Sequence, residues 1–186
     1  MPTESVVLAA PATRRRSVAV LLGVALVAAA AQVAVPIPGT PVPVTLQPLA
    51  VLLVGGLLGP GLGATSLIAY LALGAAGLPV FTPYGLPGIA RLLGPTGGYL
   101  LAYPVAAFAV GRLAGDGQRY GRLIAAGFAG LTLIHLGGLA QLVILSGSAQ
   151  AAVRLGTLPF LAADVGKVAI AVLVLRRAAS PVRARL

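Results

Sequence analysis

Asp164 and Lys167 lie three residues apart in FLAADVGKVAIAVLVL (160–175), a run that is otherwise almost wholly apolar. Lys167 is the single lysine of the chain, and Asp164 is one of three acids. Residues three apart on a helix share a face, so this run presents an anion and a cation side by side inside an oily helix. With residue 157 at the outer surface, the pair lies roughly 10–15 Å below it. Ionisable groups at such depth cost several kcal/mol unless they pair or face water. One reading is a structural ion pair. A second is ligand binding: an acceptor beside a donor matches a ligand with N–H and C=O groups side by side, such as a urea or amide. Twelve arginines against one lysine favour the second reading, because lysine is a compact point-charge donor rather than a planar fork. A proton relay through Asp164 is the weakest of the three, since no second acid lies in another span.

Other polar residues carry less. His135 sits in the middle of an apolar run and reads as a helix–helix hydrogen bond, as do Gln32 and Gln141. Thr45 and Gln47 follow a proline-rich stretch and are candidates to line a site. Arg91 precedes GPTGG in a long loop, where a solvated charge and a holder of an anionic ligand group weigh equally. The small-xxx-small pairs Ala19/Gly23, Ala25/Ala29 and Ala30/Ala34 permit close helix contact.

These side chains must be positioned by membrane helices. Of the 186 residues, 59% are hydrophobic and 9% charged, and mean hydropathy is +1.02. A soluble domain of this size cannot hide that much apolar surface. The expected fold class is an all-α membrane protein, a bundle of six transmembrane helices. The spans are 17–35, 45–58, 62–76, 99–113, 123–145 and 157–175, with a tight turn at GPG (59–61). A cleavable signal is the second reading of the first run. The 45–58 run covers only about 20 Å of the ~30 Å hydrocarbon core. VPIPGTPVPVTLQP (35–48) reads as an ordered, extended loop, and 77–98 as a long, ordered Gly/Pro loop. The domains are then a tail over 1–16, a substrate-binding bundle over 17–178 and a tail over 179–186.

The net charge of +10 alone suggests nucleic acid, but its distribution argues otherwise. With both termini cytoplasmic, ten arginines lie on the inner face and only Arg91 and Arg154 outside, a strong positive-inside bias. The loop mass falls on the outer side, and a site built from loops belongs there. No cysteine is present, no nucleophile–base set or metal cluster stands out, and no phosphate loop occurs, so uphill transport draws on an ion gradient or on a partner.

Four motifs carry a resemblance: PVPVTLQPLAVLLVGGLLGPGLGA (41–64), YLALGAAGLPVF (70–81), LLGPTGGYLLAY (92–103) and ADVGK (163–167). In this order and spacing the chain, over about residues 17–178, resembles the BioY family, the biotin-binding S components of energy-coupling-factor vitamin transporters. The resemblance implies a bacterial plasma-membrane protein that holds biotin near the outer face under ordered loops. It implies no cofactor. The implied partners are a transmembrane coupling protein and two cytoplasmic ATPases, with a homo-oligomer as the alternative assembly. Asp164 and Lys167 match the family's contacts to the ureido ring, and Arg91 its candidate for the valerate carboxylate. Phe81 and Tyr99 are candidates to pack on the thiophane ring. The family's Asn after LPVF is missing from Thr82-Pro83-Tyr84-Gly85, and Tyr84 or Thr82 is the expected substitute. The first helix's Ala19, Gly23, Ala25 and Ala29 become candidates for the coupling surface. The alternatives are an S component for another vitamin and an ion-coupled carrier using Asp164.

Overall fold

The computed structural model describes residues 12–186. Seven α-helices follow in order: α1 Ala12–Gln32, α2 Gln47–Ala75, α3 Ile89–Leu93, α4 Gly97–Ala114, α5 Tyr120–Ser146, α6 Ala149–Gly156 and α7 Leu161–Arg183. A 3-10 turn, Leu158–Phe160, leads into α7, and β1 (Ala34–Val35) pairs antiparallel with β2 (Val44–Thr45). The helices expose apolar side chains outward, among them Leu21, Leu101, Ile144 and Leu173. So much exposed apolar surface on every long helix requires lipid around it. Four of these helices, and the stretch Ala149–Arg183, are long and apolar enough to cross a membrane. The chain is an all-helical, multi-pass membrane protein.

α2 is a hairpin rather than a rod. Gly59 adopts φ +81, outside helical space and readily reached only by glycine, and Pro60 offers no N–H to continue the ladder. The two arms fold back on each other, so that the Gln47 side chain reaches the Tyr70 hydroxyl at 2.8 Å. Twenty-three residues of straight helix would put these groups ~35 Å apart.

The helix ends differ from those expected. Of the tail expected over 1–16, residues 1–11 lie outside the described residues, and Arg14, Arg15 and Arg16 are already helical. α7 likewise runs past 178 to Arg183. Arginine is a good helix former, and the helices continue past the hydrocarbon into the headgroup layer. The 77–98 and 146–156 loops contain the short helices α3 and α6.

The bundle has two distinct ends. One carries the β1–β2 ribbon, the 76–96 loop and α6. The other carries the Gly59 turn, the 115–119 link and the C-terminal turn, where Arg16 Nε donates to the Leu186 carbonyl at 3.0 Å. Arg183 organises this second end. Its Nε and Nη2 donate to the Gly56 carbonyl at 3.0 and 2.6 Å, and Nη2 to the Gly111 carbonyl at 3.2 Å. Nη1 donates to the Gly115 carbonyl. These carbonyls sit where helices end and have lost their i+4 donors, so one guanidinium ties α7 to both α2 and α4.

Candidate functional site

Seven polar side chains are buried among the described residues, and five of them line one cavity: Thr45, Gln47, Thr82, Asp164 and Lys167. Burying polarity is costly unless it is satisfied or used, so its concentration at one place marks the site. The cavity lies at the loop end, walled by the start of α2, the 81–82 loop, α4, α5 and α7.

α7 supplies the charges. Lys167 Nζ donates to Asp164 Oδ1 at 2.9 Å, and both residues are only 6% exposed. Asp164 Oδ2 meets His135 Nε2 of α5 at 2.7 Å, and His135 Nδ1 meets the Thr157 hydroxyl at 3.3 Å. This network assigns the roles of the ring nitrogens. Beside the carboxylate, Nε2 is the donor, and Nδ1 shares a hydrogen bond with the Thr157 hydroxyl. Each Asp164 oxygen keeps a lone pair, and Lys167 keeps two of its three N–H groups beyond the bond to Asp164. The pair can therefore accept N–H and donate to C=O of one neutral ligand.

α4 supplies the aromatic wall. Thr96, Tyr99, Leu100 and Tyr103 repeat at helical spacing and face the cavity together. The Tyr99 hydroxyl donates to the Gly156 carbonyl at 2.6 Å, which fixes the α6–α7 junction. Its ring lies where a β-carbon on Gly138 would be, so glycine is needed at that point of α5. Leu131, Ile134 and Phe160 complete the apolar lining.

The two loops over the site are joined by a chain of hydrogen bonds. The Thr45 hydroxyl donates to Gln47 Oε1 at 3.3 Å, Gln47 Nε2 to the Tyr70 hydroxyl at 2.8 Å, and that hydroxyl to the Val80 carbonyl at 3.0 Å. Phe81 packs edge-on against Tyr70, with centroids 5.4 Å apart. Gln32 Nε2 donates to the Phe81 carbonyl at 3.2 Å, and Gln141 Nε2 to the Leu92 and Gly94 carbonyls at 3.0 and 2.8 Å. Gln141 joins α5 to α3 at Leu92 as expected and also holds Gly94 just past that helix, whereas Gln32 reaches loop backbone at Phe81. The proline-rich loop is pinned by the Thr40 hydroxyl, which donates to the Leu155 carbonyl at 2.7 Å.

Of the residues proposed from sequence, the structure brings Asp164, Lys167, Thr45, Gln47, Phe81, Thr82 and Tyr99 into the cavity wall; Arg91 and Tyr84 are not in it. Arg91 is buried, but its guanidinium faces its own loop. It donates to the Leu86 carbonyl, the Thr82 hydroxyl and the Thr82 carbonyl, each at 2.8 Å, and to the Tyr84 carbonyl. The Tyr84 ring is half exposed. His135, Tyr103 and Thr96 line the cavity and were not among the expected site residues. Helical spacing from Tyr99 would have found Thr96 and Tyr103, whereas nothing local couples His135 to Asp164, 29 positions away. On the first helix, Ala19 and Gly23 are buried, and a β-carbon on Gly23 would collide with Ser66 of α2. Ala19 and Gly23 also line an open groove beside α1, while Ala25 and Ala29 are exposed.

Fold and site together define a multi-pass membrane protein with a small polar chamber closed by ordered loops at one end. The BioY family profile matches residues 3–184, and the chain belongs to the BioY family. It is 44% identical over 158 residues to the probable biotin transporter BioY of Pyrococcus horikoshii, covering 85% of this chain and 92% of that one. It is 38% identical over 141 residues to the biotin transporter BioY of Thermotoga maritima, covering 76% and 83%. The crystal structure of the S component for biotin from an ECF-type ABC transporter superposes with a TM-score of 0.80 at 30% identity. That match covers 89% of this chain and 90% of the other.

Proposed function

We infer that this chain captures biotin for uptake, as the biotin-specific S component of an energy-coupling-factor transporter. The observation that carries this is the buried Asp164–Lys167 pair, facing the cavity with His135 bonded to the carboxylate. A cyclic urea presents N–H beside C=O and carries no charge. Asp164 accepts a ureido N–H and Lys167 donates to the ureido oxygen, both desolvated, where such bonds are strongest. Tyr99 and Phe81 offer apolar faces to the fused ring, and Thr45, Gln47 and Thr82 offer polar edges. Arg91 acts on this reading through the loop: it holds 82–86 over the chamber.

The same reading gives six membrane passes, the arms of α2 counting as two short ones. The arginine-rich end faces the cytoplasm with both termini, and the loop end faces outward, by the positive-inside rule. The membrane is the plasma membrane. The exposed stripe at Ala25 and Ala29 is the proposed contact for a transmembrane coupling protein, which in turn engages two cytoplasmic ATPases.

The test is direct. Heat-denatured, purified full-length protein should release biotin detectable by mass spectrometry, and unlabelled biotin, alone in a panel of vitamins, should displace labelled biotin. Displacement by a different vitamin at lower concentration would reassign the ligand. Uptake that collapses with a protonophore and survives loss of the ATPases would reassign the energy source.

A further inference from the structure

At the arginine-rich end an apolar groove of about 760 Å³ opens to the lipid between α1, the α2 hairpin and the C-terminal turn. Val18, Leu22 and Leu26 of α1 line one side with the small residues Ala19 and Gly23 between them, and Leu57, Leu58 and Val182 line the other. Arg14, Arg15 and Arg185 stand at its mouth. Arg16 is bonded to the Leu186 carbonyl and is not counted with them. From Arg14 to Leu26 the groove descends twelve residues of helix, about 18 Å. One leaflet of a ~30 Å hydrocarbon core is about 15 Å deep.

We propose that this groove is a binding site for an anionic phospholipid, with an acyl chain along the Val18–Leu22–Leu26 wall and the headgroup phosphate on the Arg14, Arg15 and Arg185 guanidiniums. Three features select this occupant. The apolar wall is one leaflet deep, as an acyl chain requires. The charge is confined to the mouth, at headgroup level, where guanidinium forks suit phosphate oxygens. The sign of that charge favours an anionic lipid over a zwitterionic one, by about fivefold for each arginine near the surface. A packed protein helix would need no cations at the mouth alone. The site is remote from the chamber under the loops and does not depend on what that chamber binds.

The chain contains no tryptophan, so Leu22→Trp gives a single fluorescent reporter in the groove. Leu136→Trp, at a half-exposed position midway along α5, is the control on another lipid-facing surface. Each variant of the full-length chain is placed in vesicles of phosphatidylcholine with increasing brominated-acyl phosphatidylglycerol, and in the converse mixture. Quenching at the Leu22 reporter should favour phosphatidylglycerol at least about fivefold, while the Leu136 reporter shows no preference. The preference should vanish when Arg14, Arg15 and Arg185 are all replaced by Gln, with the melting temperature unchanged as the check that the bundle is intact. Equal preference at the two reporters overturns the proposal. So does preference that survives the triple replacement, or absence of quenching by either lipid at Leu22, which would mean that another segment or protein fills the groove.

Discussion

Arg91 at the loop end and Arg183 at the opposite end use one device: a guanidinium withdrawn from solvent donates to backbone carbonyls that have no helical partner. They differ in reach. Arg91 bonds only residues 82–86, within nine positions of itself. Arg183 bonds residues 68 to 127 positions away and fastens three helices. Residues 82–86 can therefore loosen locally while the bundle stays assembled, as a site that must admit and release a ligand requires, although Gln32, Thr40 and Gln141 fasten other parts of the loop end over 47 to 115 positions. The second end cannot. The clamp beside the chamber is local, and the clamp remote from it is long-range.

The largest test of this division is at Asp164. Asp164→Asn should lower biotin affinity at least about 100-fold, and it leaves Lys167 buried without its counter-charge, a cost of about 3–5 kcal/mol. The double replacement Asp164→Asn with Lys167→Met removes that charge, so thermal stability should return while binding does not. If the double variant binds biotin like the parent, the pair serves structure alone and the two ends do not differ in kind.

Next in size is Arg183→Ala. Hydrogen bonds from a charged donor contribute about 1.5–3 kcal/mol each when partly buried, and those shared over two helix ends should together give a loss of about 2–4 kcal/mol in unfolding free energy. Biotin affinity of the protein that remains folded should change less than about twofold. Arg183→Lys should recover under half of the stability, because an ammonium cannot span the Gly56, Gly111 and Gly115 carbonyls at once. A marked affinity loss in the folded Ala variant would show that the arginine-rich end controls the site.

How far these features were visible in the sequence follows the same split between local and long-range. Membrane class, the breakers at 59–61 and the facing of Asp164 with Lys167 are local properties, set by hydropathy, proline and helical spacing, whereas Phe81, Thr82 and Tyr99 are reached through the family resemblance. The Arg183 clamp, the Asp164–His135 bond and the chain from Thr45 through Tyr70 to Val80 depend on which helices become neighbours, and apolar patterns in a membrane bundle do not specify that. Arg91 shows the limit most plainly. Its position before GPTGG was legible, but the direction of its guanidinium was decided by three loop carbonyls that required donors.

Arg91→Gln sharpens the comparison from the other side. Biotin affinity should fall about tenfold, equivalent to about 1.4 kcal/mol, because residues 82–86 must then be ordered as the ligand binds. The melting temperature should move less than for Arg183→Ala, and limited proteolysis should cut first within 82–88. Equal losses of stability in the Arg91 and Arg183 variants would erase the distinction between the two clamps.

The smallest effect expected is at Tyr99, where the two modes of fastening meet. Its ring belongs to the chamber, yet its hydroxyl reaches Gly156, 57 positions away. Tyr99→Phe keeps the apolar face and deletes only that bond, leaving the Gly156 carbonyl without this donor, at a cost of about 1 kcal/mol in stability. If the ring alone contacts ligand, biotin affinity should drop no more than about threefold, through slight freedom at the α6–α7 junction that positions Asp164. Tyr99→Ala removes the ring as well and should cost biotin affinity about tenfold or more beyond the Phe variant. Should the Phe and Ala variants bind biotin equally, the ring does not touch the ligand, and Tyr99 belongs with Arg183 among the residues that hold the bundle rather than with those that form the chamber.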